Sequence, residues 1–162
     1  MRSTQLWAVV PWVAPDVAFG RLVDATVFPA LSEEIRSIDE ARPPAPGVPR
    51  HTEWAVAFRR GVLRWTQWEN IDHVRRAAVF GQVDGDFAEF GGAWRVQPED
   101  EGCRVVFEVT YDFGIESLAS AMDPIAERLL LRVAGDILRG VFGPETELRV
   151  DRDHHTTIAE VG

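Results

Sequence analysis

The stretch GDFAEFGGAWRVQPEDEGCRVVFEVTYDFG, residues 85–114, is the most informative part of this chain. Its second half alternates, with Val105, Phe107, Val109 and Tyr111 on one side and Val106, Glu108, Thr110 and Asp112 on the other. Such alternation is typical of a β-strand with one buried face. An acidic turn at 98–102 joins this strand to a second, aromatic-rich strand at 87–97. We therefore predict an antiparallel hairpin here.

Further strands are predicted on the N-terminal side of the hairpin. Five segments have β character: 7–13, 32–40, 53–60, 62–71 and 73–83. The segment 62–71 places Leu63, Trp65, Gln67 and Glu69 on one face. Four prolines between 41 and 50 predict a surface loop. The sequence thus indicates a curved antiparallel sheet of about seven strands.

The remaining segments have helical patterns. Ala14-Pro15-Asp16 opens the first of two short helices after strand one, and the second covers 27–31. Asp123-Pro124 predicts the start of a long C-terminal helix, which Gly140 ends. Only this helix is long enough to cover one face of the sheet. The predicted class is α+β, a curved sheet wrapped around the C-terminal helix, and the gap between them is the expected ligand cavity.

The domain prediction is one ligand-binding domain over 1–144 and a polar C-terminal tail over 145–162. From Thr146 onward we expect no capped element, so the end of the tail should be frayed. His154 and His155, with Asp151 and Asp153, could chelate a metal. This polar tail offers such ligands no supporting groups, so we predict no metal site.

Charge and cysteine content exclude several classes of protein. Lys plus Arg total 17 against 26 for Asp plus Glu, a net charge of −9, which disfavours nucleic acid and anionic membranes as partners. A single cysteine cannot form an intramolecular disulfide and fits the reducing cytoplasm, where we expect the protein. The apolar segment 6–13 is too short to cross a bilayer and is interrupted by Trp and Pro, so we predict a strand and no integral membrane segment.

The quoted segment and the order of elements resemble the polyketide cyclase/dehydrase and coenzyme Q-binding protein families of the START/Bet v 1-like (SRPBCC, helix-grip) superfamily. The resemblance covers residues 5–142 and is most specific over 62–113. It implies a helix-grip fold and a cofactor-independent cyclase or dehydratase acting on a hydrophobic, polyketide-like intermediate in natural-product biosynthesis. The alternative is a non-catalytic binder or carrier of a quinone, lipid or polyketide.

Aromatase/cyclases of this superfamily use a strand-two Tyr, middle-strand Arg residues and an Asn on the long helix. An ungapped comparison puts Ile35 where the Tyr belongs, Glu69 where one Arg belongs and Gly81 near another. No Asn follows Pro124. The usual cyclase set is therefore absent, and other residues must be considered.

Three residues are candidate catalytic groups. Glu69 shares a face with Trp65, and desolvation there would raise its pKa toward acid–base work, although a solvated strand end is the alternative. Arg75 or Arg76 should face inward from its strand, to polarise a carbonyl or to pair with Glu69. Tyr111 should also face inward, either to donate a proton to a ligand or to make a core hydrogen bond.

Ligand-binding candidates come from the inward faces of the strands and the helix. They are Trp54, Phe58, Trp65, Gln67, Phe90, Trp94, Phe107, Met122, Leu129 and Val133. The alternative is that these side chains form a filled core. No phosphate loop, nucleophile elbow or paired Cys/His set is present, so no cofactor is expected. The expected partner is a polyketide- or quinone-like small molecule, and a homodimer is compatible with the sequence.

Overall fold

The described residues of the protein form a nine-stranded antiparallel sheet. The structure is a computed structural model that describes residues 1–114, 116–152 and 155–158, without the side chains of 116–120, 152 and 155–158. The strands are β1 (Arg2–Val10), β2 (Ile35–Arg42), β3 (Arg50–Phe58), β4 (Gly61–Asp72), β5 (Ala77–Gly85), β6 (Glu89–Glu99), β7 (Gly102–Asp112), β8 (Leu148–Arg152) and β9 (His155–Ile158). Their spatial order is β2-β3-β4-β5-β6-β7-β1-β8-β9.

The helices all pack on one face of this sheet. They are α1 (Pro15–Leu22), α2 (Phe28–Leu31), which follows a 3₁₀ turn at Ala25–Val27, and α3 (Glu116–Phe142). The helix-covered face carries the buried side of each alternating strand, including Cys103, Val105, Phe107, Val109 and Tyr111 of β7. The α+β class, the two short helices and the long helix against a curved antiparallel sheet are confirmed.

Helix α3 begins earlier than the sequence predicts, so the prediction of Asp123 as its N-cap is wrong. Pro124 lies inside the helix, where its missing N–H and its ring normally cost about 3 kcal/mol. The carbonyl of Asp123 has a side-chain partner, because the hydroxyl of Tyr111 donates to it at 2.5 Å. This contact between sheet and helix is invisible to local sequence rules.

The predicted end of α3 at Gly140 is also wrong, because the helix continues for two more residues. Gly140 lies within the helix, and a Cβ there would come within 2.7 Å of the Leu31 side chain from α2. The glycine therefore allows α2 to pack closely. Helix α3 ends at Phe142, and Gly143 follows with φ +118°, in the left-handed region that favours glycine at helix ends.

Residues 73–76 form a turn and not the start of β5 as predicted. The backbone N–H groups of Val74 and Arg75 both donate to Oδ1 of Asp72 at 3.0 Å. An Asp side chain that binds the backbone two and three residues onward stabilises a turn against strand pairing. The side chains of this turn therefore do not alternate across the sheet.

The C-terminal residues join the sheet, so the expectation of no element beyond Thr146 is wrong. Strand β8 pairs antiparallel with β1, and Leu148 and Val150 are 1% and 3% exposed. Strand β9 extends the sheet beyond β8, which raises the number of strands from about seven to nine. Asp153 and His154 of the considered chelating set lie outside the described residues.

Candidate ligand-binding site

A cavity lies between the inner face of the sheet and α3. It is lined by Trp54, Val56, Trp65, Gln67, Phe80, Phe90, Trp94, Phe107, Leu130, Val133, Ala134 and Ile137. These walls enclose about 40 Å³. A single water needs about 10–15 Å³ on this scale, so a multi-ring ligand would have to displace some of the aromatic side chains in the wall.

The aromatic walls are built from cross-strand pairs. Trp54 and Trp65 are direct partners across β3 and β4, and their rings stack with centroids 5.6 Å apart. Trp94 and Phe107 are partners across β6 and β7, with centroids 4.8 Å apart. Such pairs present large, rigid apolar faces at little conformational cost. The arrangement suits flat, unsaturated ligands.

Gly92 of β6 makes room for the ring of Phe80, another residue of the cavity wall. A Cβ at this position would contact the backbone carbonyl of Glu108 and lie 2.9 Å from the Phe80 ring. The absent side chain thus permits β6 to approach β7 and lets Phe80 lie in the cavity wall. Sequence analysis missed Phe80 as a lining residue, because it assigned no inward face to residues 77–83.

Gln67 is the polar side chain among the lining residues. Its Oε1 accepts a hydrogen bond from Nε1 of Trp65 at 2.8 Å, and its Nε2 donates to Oε1 of Glu69 at 3.3 Å. A carboxamide has two N–H donors and two acceptor sites, so one of each remains for a ligand. The two existing bonds fix the orientation of the amide in the cavity wall.

Glu69 lies behind Gln67 and is held by Arg50. The guanidinium donates from Nε to Oε2 at 2.9 Å and from a terminal nitrogen to Oε1 at 3.2 Å. Arg50 also donates to the carbonyl of Val23 at 2.9 Å, and the hydroxyl of Thr52 donates to Oε2 at 3.4 Å. The expectation of an isolated carboxylate in an apolar wall is therefore wrong.

Arg50 was missed because it was assigned to the proline-rich loop. It is the first residue of β3 and faces Glu69 directly in the strand register. No spacing within one segment reveals this relationship, since nineteen positions separate the two residues. An arginine at the end of a predicted strand, opposite an inward carboxylate, is the signal that could have identified it.

Arg75, the second catalytic candidate, does not face the cavity. Its side chain is 85% exposed in the β4–β5 turn and is 3.8 Å from Asp72. Arg76 also serves another purpose: it pairs with Asp16 at 3.2 Å and donates to the carbonyl of Val96, which holds α1 against the sheet. The prediction that one of these arginines faces inward from a strand is wrong, because both belong to the turn.

Tyr111 faces inward as predicted, but its hydroxyl is occupied. The residue is fully buried and donates to the carbonyl of Asp123. Burial raises the pKa of the Tyr111 phenol, so the neutral form persists well above pH 10. Tyr111 is also absent from the cavity lining. Its geometry is that of the core hydrogen bond considered as the alternative.

The predicted ligand-binding residues divide between two places. Trp54, Trp65, Gln67, Phe90, Trp94, Phe107 and Val133 line the cavity. Phe58 and Leu129 line a separate surface groove, and the sulfur of Met122 accepts a hydrogen bond from Arg59 at 3.5 Å beside it. The helix side of the cavity also includes Leu130, Ala134 and Ile137, which were not among the predicted ligand-binding residues.

Two further features are absent from the part of the chain that the structure describes. No group of three or more His, Cys, Asp or Glu side chains in it is arranged to hold a metal ion. No described helix has the length and apolar character needed to span a membrane.

A family model described as polyketide cyclase / dehydrase and lipid transport matches residues 13–137. A protein from Thermus thermophilus is 21% identical, with 85% of this chain and 93% of that chain covered and a TM-score of 0.73. The Zhui aromatase/cyclase from a Streptomyces species is 14% identical, with 88% and 92% covered and a TM-score of 0.73. A START superfamily protein from Mycobacterium smegmatis is 11% identical, with 88% and 97% covered and a TM-score of 0.72. No curated protein matches the chain.

The sheet and the long helix form a helix-grip fold, which the chain shares with these structural neighbours. The chain belongs to the polyketide cyclase / dehydrase and lipid transport family.

Proposed function

We propose that the protein binds a flat, hydrophobic, polyketide- or quinone-like molecule between the sheet and α3, with a ligand oxygen at Gln67. The observation that carries this proposal is the combination of aromatic walls with one oriented carboxamide. Aromatic side chains stack on unsaturated rings, and the free N–H of Gln67 suits a carbonyl oxygen. A correctly placed neutral hydrogen bond of this kind contributes about 1 kcal/mol.

The role that the geometry supports best is binding or carriage without catalysis. The three predicted catalytic groups have other roles or places in the fold. Glu69 pairs with Arg50, Arg75 lies in the exposed β4–β5 turn, and the hydroxyl of Tyr111 donates to the carbonyl of Asp123. None of the three lines the cavity. A protein that must retain its ligand unchanged gains from walls that lack free acids and bases.

Cofactor-independent cyclisation or dehydration of a polyketide-like chain is the second candidate. The family match favours it, and the neighbour from Streptomyces is described as an aromatase/cyclase. In this case the walls would fold the substrate, and positioning alone accelerates intramolecular steps by several kcal/mol in barrier height. Gln67, backed by Glu69 and Arg50, would polarise a substrate carbonyl. Either role fits our expectation of a cytoplasmic protein.

Filling the cavity tests the binding proposal. Ala134 is buried on the cavity side of α3, so Ala134→Leu should occupy the space that a ligand needs. We expect the affinity for menadione, measured by isothermal titration calorimetry, to fall at least tenfold. The exposed Ala30 of α2 lies outside the cavity and gives the control, Ala30→Leu, which should bind as the unmodified protein does. Equal affinities for the two variants would contradict binding in this cavity.

The two roles are separated by product analysis. The purified protein would be added to a reconstituted polyketide synthase whose free product cyclises spontaneously. Under the carrier role, the ratio of cyclised products stays the same while the protein retains one of them. A changed product ratio that Ala134→Leu abolishes would establish the cyclase role instead.

A further inference from the structure

A second concave site lies on the surface, between the β3–β4 turn and the outer side of α3. It is lined by Glu34, Ala57, Phe58, Arg59, Ile125, Arg128, Leu129 and Arg132 and has a volume of about 190 Å³. Its helix residues, such as Arg128 and Leu129, alternate along α3 with cavity residues such as Leu130 and Val133. One helix therefore separates the groove from the cavity, and the two sites have different linings.

The rim of this groove is positively charged in a protein whose net charge is −9. Arg132 has a carboxylate partner, Glu34, at 3.5 Å. The hydrogen bond of Arg59 within the described chain goes to the sulfur of Met122. Arg128 is exposed, and it has neither an ion pair nor a hydrogen bond with any described residue. Beside this groove, the guanidinium groups of Arg59 and Arg128 thus have no charged partner among the described residues.

Some arginines of the sheet have a carboxylate partner. Arg95 lies 2.8 Å from Glu108, and Arg104 lies 2.9 Å from Glu99. Among the described residues that line the groove, three are arginines and one is acidic, so positive charge is concentrated there.

The β3–β4 turn places Arg59 at the groove against its backbone preference. Phe58 and Gly61 are paired across the strands, so Arg59 and Arg60 form a two-residue turn. Arg59 has φ +57°, a left-handed conformation that is unfavourable for a residue with a side chain. Glycine or asparagine would relieve this strain, but neither would supply a cation.

The floor of the groove is apolar and makes contact with the aromatic network of the core. Phe58 and Leu129 contribute most of its large apolar side chains, with Ile125 beside them. The ring of Phe58 lies 6.2 Å from that of Phe113, which stacks at 5.2 Å on Phe87. An apolar chain lying on this floor would therefore contact a rigid surface.

We propose that the groove binds the anionic group, carboxylate or phosphate, of an amphiphilic molecule whose apolar chain lies on Phe58 and Leu129. The planar guanidinium of Arg128 can donate two parallel hydrogen bonds to either anion, and Arg59 adds a second charge. The volume suits a short acyl or alkyl chain. This site does not depend on what the cavity binds, because the two sites share no lining residue.

Matched eight-carbon probes test the site. Sodium octanoate, octyl phosphate and neutral octan-1-ol would be titrated by calorimetry in about 20 mM and about 300 mM salt. We expect both anions to bind at least fivefold more tightly than octanol at low salt, and to lose most of that advantage at high salt. The tighter of the two anions identifies the preferred head group. Equal binding of octanol and octanoate would overturn the proposal.

The site of binding is read from methyl NMR signals. Octanoate should shift the Leu129 methyl signals, which report the groove, more than those of Val133, which report the cavity. Perturbation confined to Val133 would show that the probe enters the cavity and would overturn the groove proposal. Loss of menadione binding would instead count against the cavity proposal, so the two failures are distinguishable.

Arginine variants complete the test. Arg59→Gln combined with Arg128→Gln should weaken octanoate five- to tenfold and leave octanol unchanged. Arg21→Gln is the matched control, since Arg21 is exposed on α1 and lies outside the groove. An equal loss in the control would overturn the proposal by showing an effect of net charge alone. If the double variant fails to fold, Arg128→Lys serves, since it keeps the charge but removes the paired donors and should cost a smaller part of the affinity.

Discussion

Arg50 and Glu69 face each other across β3 and β4, joined by hydrogen bonds of 2.9 and 3.2 Å. Their side chains are only 12% and 10% exposed. A buried ion pair contributes little net stability over a well-packed apolar pair, but the loss of one partner leaves an uncompensated charge. The pair therefore fixes the position of Gln67 and makes Glu69 difficult to replace.

The first prediction is that Glu69→Gln destabilises the protein. The substitution keeps the shape but leaves the guanidinium of Arg50 without its carboxylate, which costs about 3 kcal/mol for a buried pair. For a chain of this length we expect Tm to fall by about 8 °C. Thermal unfolding followed by circular dichroism measures the change.

A double variant provides the control for this prediction. Glu69→Leu with Arg50→Met removes both charges, so it should recover most of the lost stability. If Glu69→Gln has the same Tm as the unmodified protein, the ion pair does not exist as described. A normal Tm together with a large loss of turnover would instead restore Glu69 as a catalytic group.

The second prediction concerns Tyr111 at alkaline pH. Burial raises the pKa of its phenol above the value of about 10 that it has in an unfolded chain. Above pH 10 the unfolded state therefore loses this proton while the folded state keeps it, so stability present at lower pH is lost as pH rises. The Tyr111→Phe variant lacks this phenol. Its free energy of unfolding should therefore be lower than that of the unmodified protein at about pH 7, and the difference should shrink by about pH 10.5.

Two features of the chain allow the pH effect to be assigned to Tyr111. Tyr111 is the single tyrosine, so the change in absorbance near 295 nm on raising the pH reports its ionisation. Burial also raises the pKa of the Cys103 thiol, but both proteins contain this residue and its contribution cancels. A stability difference that is constant with pH, or a phenol that ionises near pH 10 in the folded protein, would show that Tyr111 is not buried as described.

Local pattern predicted the strands well and the ends of the helix poorly. Leu63, Trp65, Gln67 and Glu69 all lie on the buried face of β4, because period-two alternation depends only on the strand itself. Pro124 was taken as a helix start because proline is favoured there. Pro124 lies inside α3 instead, next to Asp123, whose carbonyl accepts a hydrogen bond from Tyr111. That hydrogen bond depends on tertiary packing, which local pattern does not reveal.

The sequence predicted the aromatic residues of the cavity walls but not the polar interactions of the site. Trp54 and Trp65 are large apolar residues on alternating strands, so their inward position follows from composition and period. The partner of Glu69 follows instead from the register of β3 against β4, which the sequence does not specify across a loop. Arg75 was preferred because the Asp72 turn was read as a strand.

The third prediction concerns the C-terminal strand β8. Deleting residues 146–162 removes Leu148 and Val150 from the core and exposes the edge of β1. Burial of these two side chains is worth about 4 kcal/mol, so we expect Tm to fall by about 10 °C or more. Leu148→Ala should reproduce much of the loss, whereas Glu147→Ala, at an exposed neighbouring position, should not. An unchanged Tm after the deletion would show that β8 does not dock.

The last prediction tests the polar contact in the cavity. Menadione and 2-methylnaphthalene have similar flat ring systems, but only menadione carries carbonyl oxygens. If Gln67 donates its free N–H to such an oxygen, Gln67→Met should weaken menadione about fivefold, which corresponds to one neutral hydrogen bond. The affinity for 2-methylnaphthalene should change less than twofold, because its contacts are with the aromatic walls. Gln67→Met also leaves Nε1 of Trp65 without its acceptor, and this disturbance affects both ligands equally. The ratio of the two affinities, measured by calorimetry on one protein preparation, therefore isolates the contact at the carbonyl. A parallel loss for both ligands would show that Gln67 supports the wall and does not bind the ligand oxygen.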